Sequence, residues 1–182
     1  MLANSESGYG LVSVLLHWLS ALLTILLFGV GLYMVGLSYY DPLYHELPEW
    51  HKSVGVVLAL LSLFRVVWRV LSGPPAPLAE KRWQGAAARL VHATMLALLI
   101  LLPVTGYFIV TAEGKPLMVF ELTLLPALLE LTPNQTDLVG RWHLWGAWAL
   151  IGLAALHAAA ALKHHFIDAD RTLIRMLTIK GQ

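Results

Sequence analysis

Residues 142–163 read WHLWGAWALIGLAALHAAAALK, an unbroken apolar run with a histidine near each end. A bilayer core takes about 20 helical residues to cross. A continuous rather than alternating run satisfies its own backbone there only as a helix. His143 and His157 are separated along this helix by almost four full turns, to within about 40°, so both face the same way, about 21 Å apart along the axis. One span thus offers two imidazoles to two stacked sites. An ionisable side chain inside a span is a functional hypothesis by default.

Three more apolar stretches, at about 12–37, 50–71 and 87–110, are long enough to cross in the same way. The composition agrees. The chain is 58% hydrophobic and only 13% charged, about half the charge of an ordinary soluble domain, so a soluble monomer is excluded. The expected architecture is all-α: a single domain over 1–182, an integral membrane four-helix bundle. A net charge of +1 gives no support for a nucleic-acid partner. The absence of cysteine excludes disulfides, thiolate zinc, iron–sulfur clusters, covalently attached haem and thiol catalysis. Met1 to Gly10 holds no Lys or Arg, and the apolar run after it exceeds a signal core, so the first span is expected to be retained.

Basic residues set the orientation. Arg65, Arg69, Lys81, Arg82 and Arg89 flank the loop between spans two and three, and Lys163, Arg171, Arg175 and Lys180 follow span four. Only Lys52, Lys115 and Arg141 lie on the other side, so both termini are expected in the cytoplasm. Residues 72–77, SGPPAP, form a stiff turn. The long loop 113–140 has an apolar middle, 117–131, with two readings: a short interfacial helix or a cap packed over the bundle. Thr136 or Asp137 is the expected N-cap of the fourth helix. Trp18, Tyr39, Trp50, Trp68, Trp83 and Trp142 near span ends read as an interfacial aromatic belt.

Five histidines lie in or at the spans and fall in two layers: His17, His92 and His157 towards the cytoplasm, His51 and His143 towards the outside. The fourteen-residue interval recurs with glycine at its far end, since it leads from His17 to Gly31 and from His92 to Gly106. Small residues also sit one turn beyond ligand positions, Gly55 after His51 among them. Glycine there either lets a flat, wide group approach the backbone or serves helix packing in lipid. Two facing histidines with room between, and no cysteine, suit non-covalent bis-histidine haem b. Zinc or copper wants three or four convergent donors. One haem per layer is expected, held by His51 with His143 and by His17 with His157. His92 then hydrogen-bonds nearby or serves a quinone, the alternative being His92 as a ligand. A non-redox bundle, such as a metal or proton transporter, is the weaker reading of the same histidines.

The segments LHWL (16–19), EWHKSVG (49–55), LLPVTG (101–106), RWH (141–143), HAAAALKHH (157–165) and DRTLIRM (170–176) resemble the bacterial cytochrome b561 family, in order and over nearly the whole chain. The resemblance implies a four-helix di-haem b protein of the bacterial inner membrane, with ligands at His17, His51, His143 and His157. It also implies electron exchange with ubiquinone or ubiquinol and, as in one family member, oxidation of superoxide. Lys52 and Arg141 beside the outer histidines are compatible with an approaching anion; pairing with haem propionates or lipid headgroups is the other reading. The wider superfamily offers an alternative function, a cytochrome b subunit that takes electrons from a hydrogenase or dehydrogenase partner and passes them to quinone. The basic asymmetry makes the topology testable. Reporter fusions at Pro75 and Gln182 should be active as cytoplasmic and those at Leu47 and Leu125 as external. A Gln182 fusion active only outside would invert the two layers.

Overall fold

The computed structural model describes residues 1–76, 78 and 82–178. Pro77, Lys81, Lys180 and Gln182, used above for the turn and the topology, lie outside them. Four long helices run Leu11–Met34 (α1), Glu46–Ser72 (α2), Arg82–Val110 (α3) and Pro133–Phe166 (α4), and a single turn, Ile174–Leu177 (α5), follows. All four are long and apolar enough to cross a membrane. Their outer faces expose Leu15, Leu22, Ile25, Leu63 and Leu101, among others, a surface that suits lipid and not water. α1 packs chiefly on α2 and α3 on α4, with α2 against α3 between the pairs.

Three of the helices outlast the apolar runs, while α1 stops at Met34, short of the expected 37, where the chain turns into the loop. α4 begins at Pro133, with Thr132 as N-cap rather than Thr136 or Asp137. The reason is local chemistry. Pro133 at the first helical position has its φ already set for a helix. The Gln135 side-chain oxygen accepts from both the Thr132 N–H and the Thr132 hydroxyl, each at 2.9 Å. Apolarity marks where lipid ends, and the helix continues beyond it.

The α3–α4 loop holds no interfacial helix, so the bundle is mostly rather than wholly helical. Leu117–Val119 (β1) and Leu122–Leu125 (β2) pair antiparallel as a small hairpin. Phe120 and Glu121 form its two-residue turn, both at positive φ (46° and 67°). Two positive φ values match the twist of a tight hairpin, but Asn-Gly is the usual choice, and side chains as large as these resist the conformation. Packing compensates. The Phe120 N–H donates to the buried Ser53 hydroxyl at 3.1 Å, and the Phe120 ring meets Trp50 edge-on. The hairpin is thus a cap seated on α2, with its tip against the residues that flank His51.

The core is a leucine layer at mid-depth. Leu58, Leu99 and Leu150 are buried together, and Leu23, Leu27, Met95, Leu98 and Leu102 pack around them. Leu58 lies seven residues after His51, Leu99 seven after His92, and Leu150 midway between His143 and His157. Two hydroxyls near this depth are satisfied within their own helices, since Ser62 bonds the Leu58 carbonyl and Thr24 the Ser20 carbonyl, whereas the buried Ser20 hydroxyl has no partner.

Both terminal segments meet at one end of the bundle. Asn4 bonds the Ser72 hydroxyl and the Gly73 carbonyl. The Arg175 guanidinium donates to the carbonyls of Ser7, Ala76 and Glu6 at 3.0, 2.8 and 3.2 Å. Trp18 donates to the Met176 carbonyl at 2.8 Å. This clasp accounts for the DRTLIRM ending. Arg175→Ala should lower thermal stability in detergent by about 1–2 kcal/mol. Arg175→Lys should restore only part of it, because an ammonium cannot reach three carbonyls in one plane. Wild-type melting of both variants would show that the clasp contributes nothing.

Candidate functional site

The histidines meet in pairs at two depths. Near the hairpin end, His51 of α2 and His143 of α4 face each other with ring centroids 6.2 Å apart. Near the terminal end, His17 of α1 and His157 of α4 stand 6.1 Å apart. α4 contributes to both, as its fourteen-residue interval requires. His92 of α3 joins the second layer differently: its ring centroid is 5.0 Å from that of His157, with His92 Nε2 3.3 Å from His157 Nδ1.

The free nitrogens are steered by their surroundings. His143 Nδ1 lies 3.1 Å from the Leu102 carbonyl and 2.9 Å from the Thr105 hydroxyl oxygen. The Thr105 hydroxyl donates to that same carbonyl at 2.8 Å. A carbonyl only accepts, so His143 carries its proton on Nδ1 and leaves Nε2 bare. His51 Nδ1 is buried beside the Leu27 backbone with no well-formed hydrogen bond. His17 Nδ1 accepts from the Arg65 guanidinium at 3.3 Å.

Two of the three predicted glycines abut the hairpin-side rings. A Cβ built on Gly31 would lie 3.2 Å from His51 Cε1, and one on Gly106 3.5 Å from His143 Cε1. Gly55 does not join them; a Cβ there has nothing within 4 Å. Lys52 is bound to Glu49 at 2.6 Å, with its side chain only 14% exposed. Arg141 is exposed and forms no salt bridge among the described residues. Away from the pairs, His45 packs on Tyr39 and Tyr44. His164 Nδ1 lies 2.9 Å from Asp168 and 2.8 Å from Asp170. Desolvation raises the Asp170 pKa, but hydrogen bonds with Thr172 and the nearby His164 outweigh it and hold the carboxyl below its usual range.

Arg65 is the site residue that a reading by residue type overlooks. It entered the sequence reading only as a topology charge. Yet it lies fourteen residues after His51, so the interval that aligns the histidines also brings it to the terminus-side layer.

Four helices able to cross a membrane that bring imidazoles together in facing pairs at two depths define an integral-membrane histidine bundle. A family model for prokaryotic cytochrome b561 matches residues 8–179. Cytochrome b561 homolog 2 of Escherichia coli K12 is 46% identical over 175 residues, covering 96% of this chain and 93% of that protein. Cytochrome b561 homolog 1 of the same organism is 28% identical, over 90% of this chain and 93% of its own length. A probable superoxide oxidase, CybB, of Yersinia pestis is also 28% identical, over 94% and 97%. The chain belongs to the prokaryotic cytochrome b561 family: it is a haem-binding electron-transfer protein of the bacterial inner membrane.

The glycines provide the test of this geometry. Gly31→Leu and Gly106→Leu should displace His51 and His143 and deplete bound haem, measured per chain as the pyridine haemochrome. Gly29 has nothing within 4 Å, so Gly29→Leu should keep wild-type haem. Equal loss in all three would reduce the glycines to generic helix packing.

Proposed function

We propose that the chain carries two b haems, one per histidine pair, and passes electrons from superoxide at the hairpin end to ubiquinone in the bilayer. The observation that carries the reading is the spacing of the pairs. Two imidazoles on opposite sides of one metal ion, each bonded at about 2 Å, have ring centroids about 6 Å apart. His51–His143 at 6.2 Å and His17–His157 at 6.1 Å fit that. His92 and His157, with nitrogens 3.3 Å apart, are at hydrogen-bond separation instead. His17, His51, His143 and His157 are therefore the ligands in this reading, and His92 accepts from His157 Nδ1. A ligating histidine commonly donates its other nitrogen in this way, as His143 does to the Leu102 carbonyl.

Bound haem b supplies a one-electron iron couple, and two histidine ligands leave no open position for oxygen. Electron carriage follows, rather than oxygen activation. Two superoxide anions each lose one electron and leave as dioxygen; one ubiquinone takes both electrons and two protons and leaves as ubiquinol. With both termini in the cytoplasm, the hairpin end faces the compartment from which an anion cannot readily cross the bilayer. The likeness to a probable superoxide oxidase supports the donor. Among the cations beside the hairpin-side pair, Glu49 already neutralises Lys52, so Arg141 is the one that meets an approaching anion.

Stopped-flow mixing of oxidised protein with superoxide tests the proposal. Haem reduction should be fast, slowed several-fold at low salt by Arg141→Gln, and little changed by Lys52→Gln. Reduction by ubiquinol, which is uncharged, should be indifferent to both. In haem counts, His92→Ala should retain two haems and His17→Ala one. No reduction of wild-type protein by superoxide, beside rapid reduction by ubiquinol, would discard superoxide as donor.

A further inference from the structure

We propose that Arg65 and Arg69 form an oxyanion-binding pair at the terminus-side histidine layer, and that the oxyanion is a carboxylate of the porphyrin held by His17 and His157. The proposal rests on the haem reading above. Arg65 is half-buried in α2, and its guanidinium is turned inward to His17 Nδ1 at 3.3 Å rather than out along the helix to the headgroups. Long basic side chains near span ends ordinarily reach outward. Arg69 follows by four residues on the same face of α2, near enough for its charge to act on both Arg65 and His92. Among the described residues neither arginine has a carboxylate within 4.0 Å. Arg69 is exposed in the last turn of α2; Arg65, half-buried and repelled by it, is the charge that persists in a span only when paired.

The contact with His17 sharpens the argument. A guanidinium only donates, so in this arrangement His17 Nδ1 accepts and its proton sits on Nε2. When Nε2 is given to a metal, the proton moves to Nδ1, and Arg65 faces a donor. Were His17 to hold a haem, Arg65 would lose this acceptor, and a porphyrin carboxylate is the group that could replace it. A planar guanidinium takes a carboxylate oxygen pair bidentately. The arginine pair then contributes binding energy to one layer only, since the hairpin-side layer has Leu102 and Thr105 around its histidine and no arginine at the matching depth of α2.

The test uses the full chain, produced without haem and then loaded with protohaem or with its dimethyl ester, whose carboxylates are masked. Arg65→Met is compared with wild type, and Arg171→Met, an exposed tail arginine, controls for net charge. With protohaem, Arg65→Met should weaken the second haem by about tenfold or more, leaving the first haem and its spectrum intact. With the dimethyl ester, wild type and Arg65→Met should bind the second haem alike. Arg171→Met should match wild type throughout. Protein in vesicles with and without phosphatidylglycerol separates the two sources of oxyanion. If the Arg65 effect appears only with the anionic lipid and persists with the ester, the pair binds a lipid phosphate and the porphyrin assignment is overturned. If Arg65→Met weakens protohaem and ester equally without regard to lipid, or weakens neither, the oxyanion pair itself is overturned. A wild-type chain that binds a single haem overturns the two-haem reading, and this proposal with it. Two haems with an indifferent Arg65 overturn this proposal alone.

Discussion

A histidine inside a bilayer has two ring nitrogens to satisfy and no water to do it, and this bundle is organised around that constraint. A neutral imidazole donates from one nitrogen and accepts at the other. His143 gives its proton to the Leu102 carbonyl and has a bare nitrogen left over. His157 shares a hydrogen bond with His92. Each ring then has one nitrogen left over, and the proposed metal is the partner that completes it. The backbone serves the same end. A Cβ at Gly31 would come to 3.2 Å of a His51 ring carbon, tight enough that the ring would have to give, and one at Gly106 would already touch His143 at 3.5 Å, so that anything larger than a methyl would meet the ring.

The electrostatics of the two ends differ in kind. At the hairpin end, the charges beside the histidines are one cation tied to its own helix neighbour, Lys52 with Glu49, and one exposed arginine. Of these, the exposed Arg141 acts on approaching ions and is screened by salt. At the terminal end, Arg65 is drawn inside the helix layer, where screening is weak and an unpaired charge is costly. The first arrangement suits a diffusing substrate, the second a resident group.

Most of the fold and much of the site were legible in the sequence, because lipid makes composition a direct report of environment. The spans, the two histidine depths and the alignment of Gly31 and Gly106 follow from apolar run length and from 3.6 residues per turn. What escaped is what those two rules cannot see. Helix α4 starts at Pro133 because capping chemistry, not apolarity, sets helix ends in water. The hairpin at 117–125 has Phe120-Glu121 where a turn signal would be Asn-Gly, and only the packing of Phe120 on Trp50 and Ser53 makes it hold. Lys52 could not be known to pair with Glu49, three residues earlier, until rotamers were fixed. Arg65 was visible all along through the same interval that found Gly31, but a positive charge near a span end is read first as topology.

The leucine layer decides what can pass between the two ends. Leu58, Leu99 and Leu150 are 6%, 6% and 3% exposed and stand halfway between the histidine layers. The nearby hydroxyls of Ser62 and Thr24 are turned to carbonyls of their own helices. A chain of proton carriers or a hydrated ion needs polar partners at every step; the three leucines offer none, and the buried Ser20 hydroxyl, which has no partner of its own, is a single polar group beside them and not a chain. An electron needs none. The structure therefore favours an electron path over the transporter reading of the same histidines. It also imposes a condition on the proposed reaction: the two protons that accompany quinone reduction cannot follow the electrons through the bundle. They come from whichever face the quinone meets, so electrons entering at the hairpin end and protons taken up at the other end would separate charge across the membrane with every quinol made.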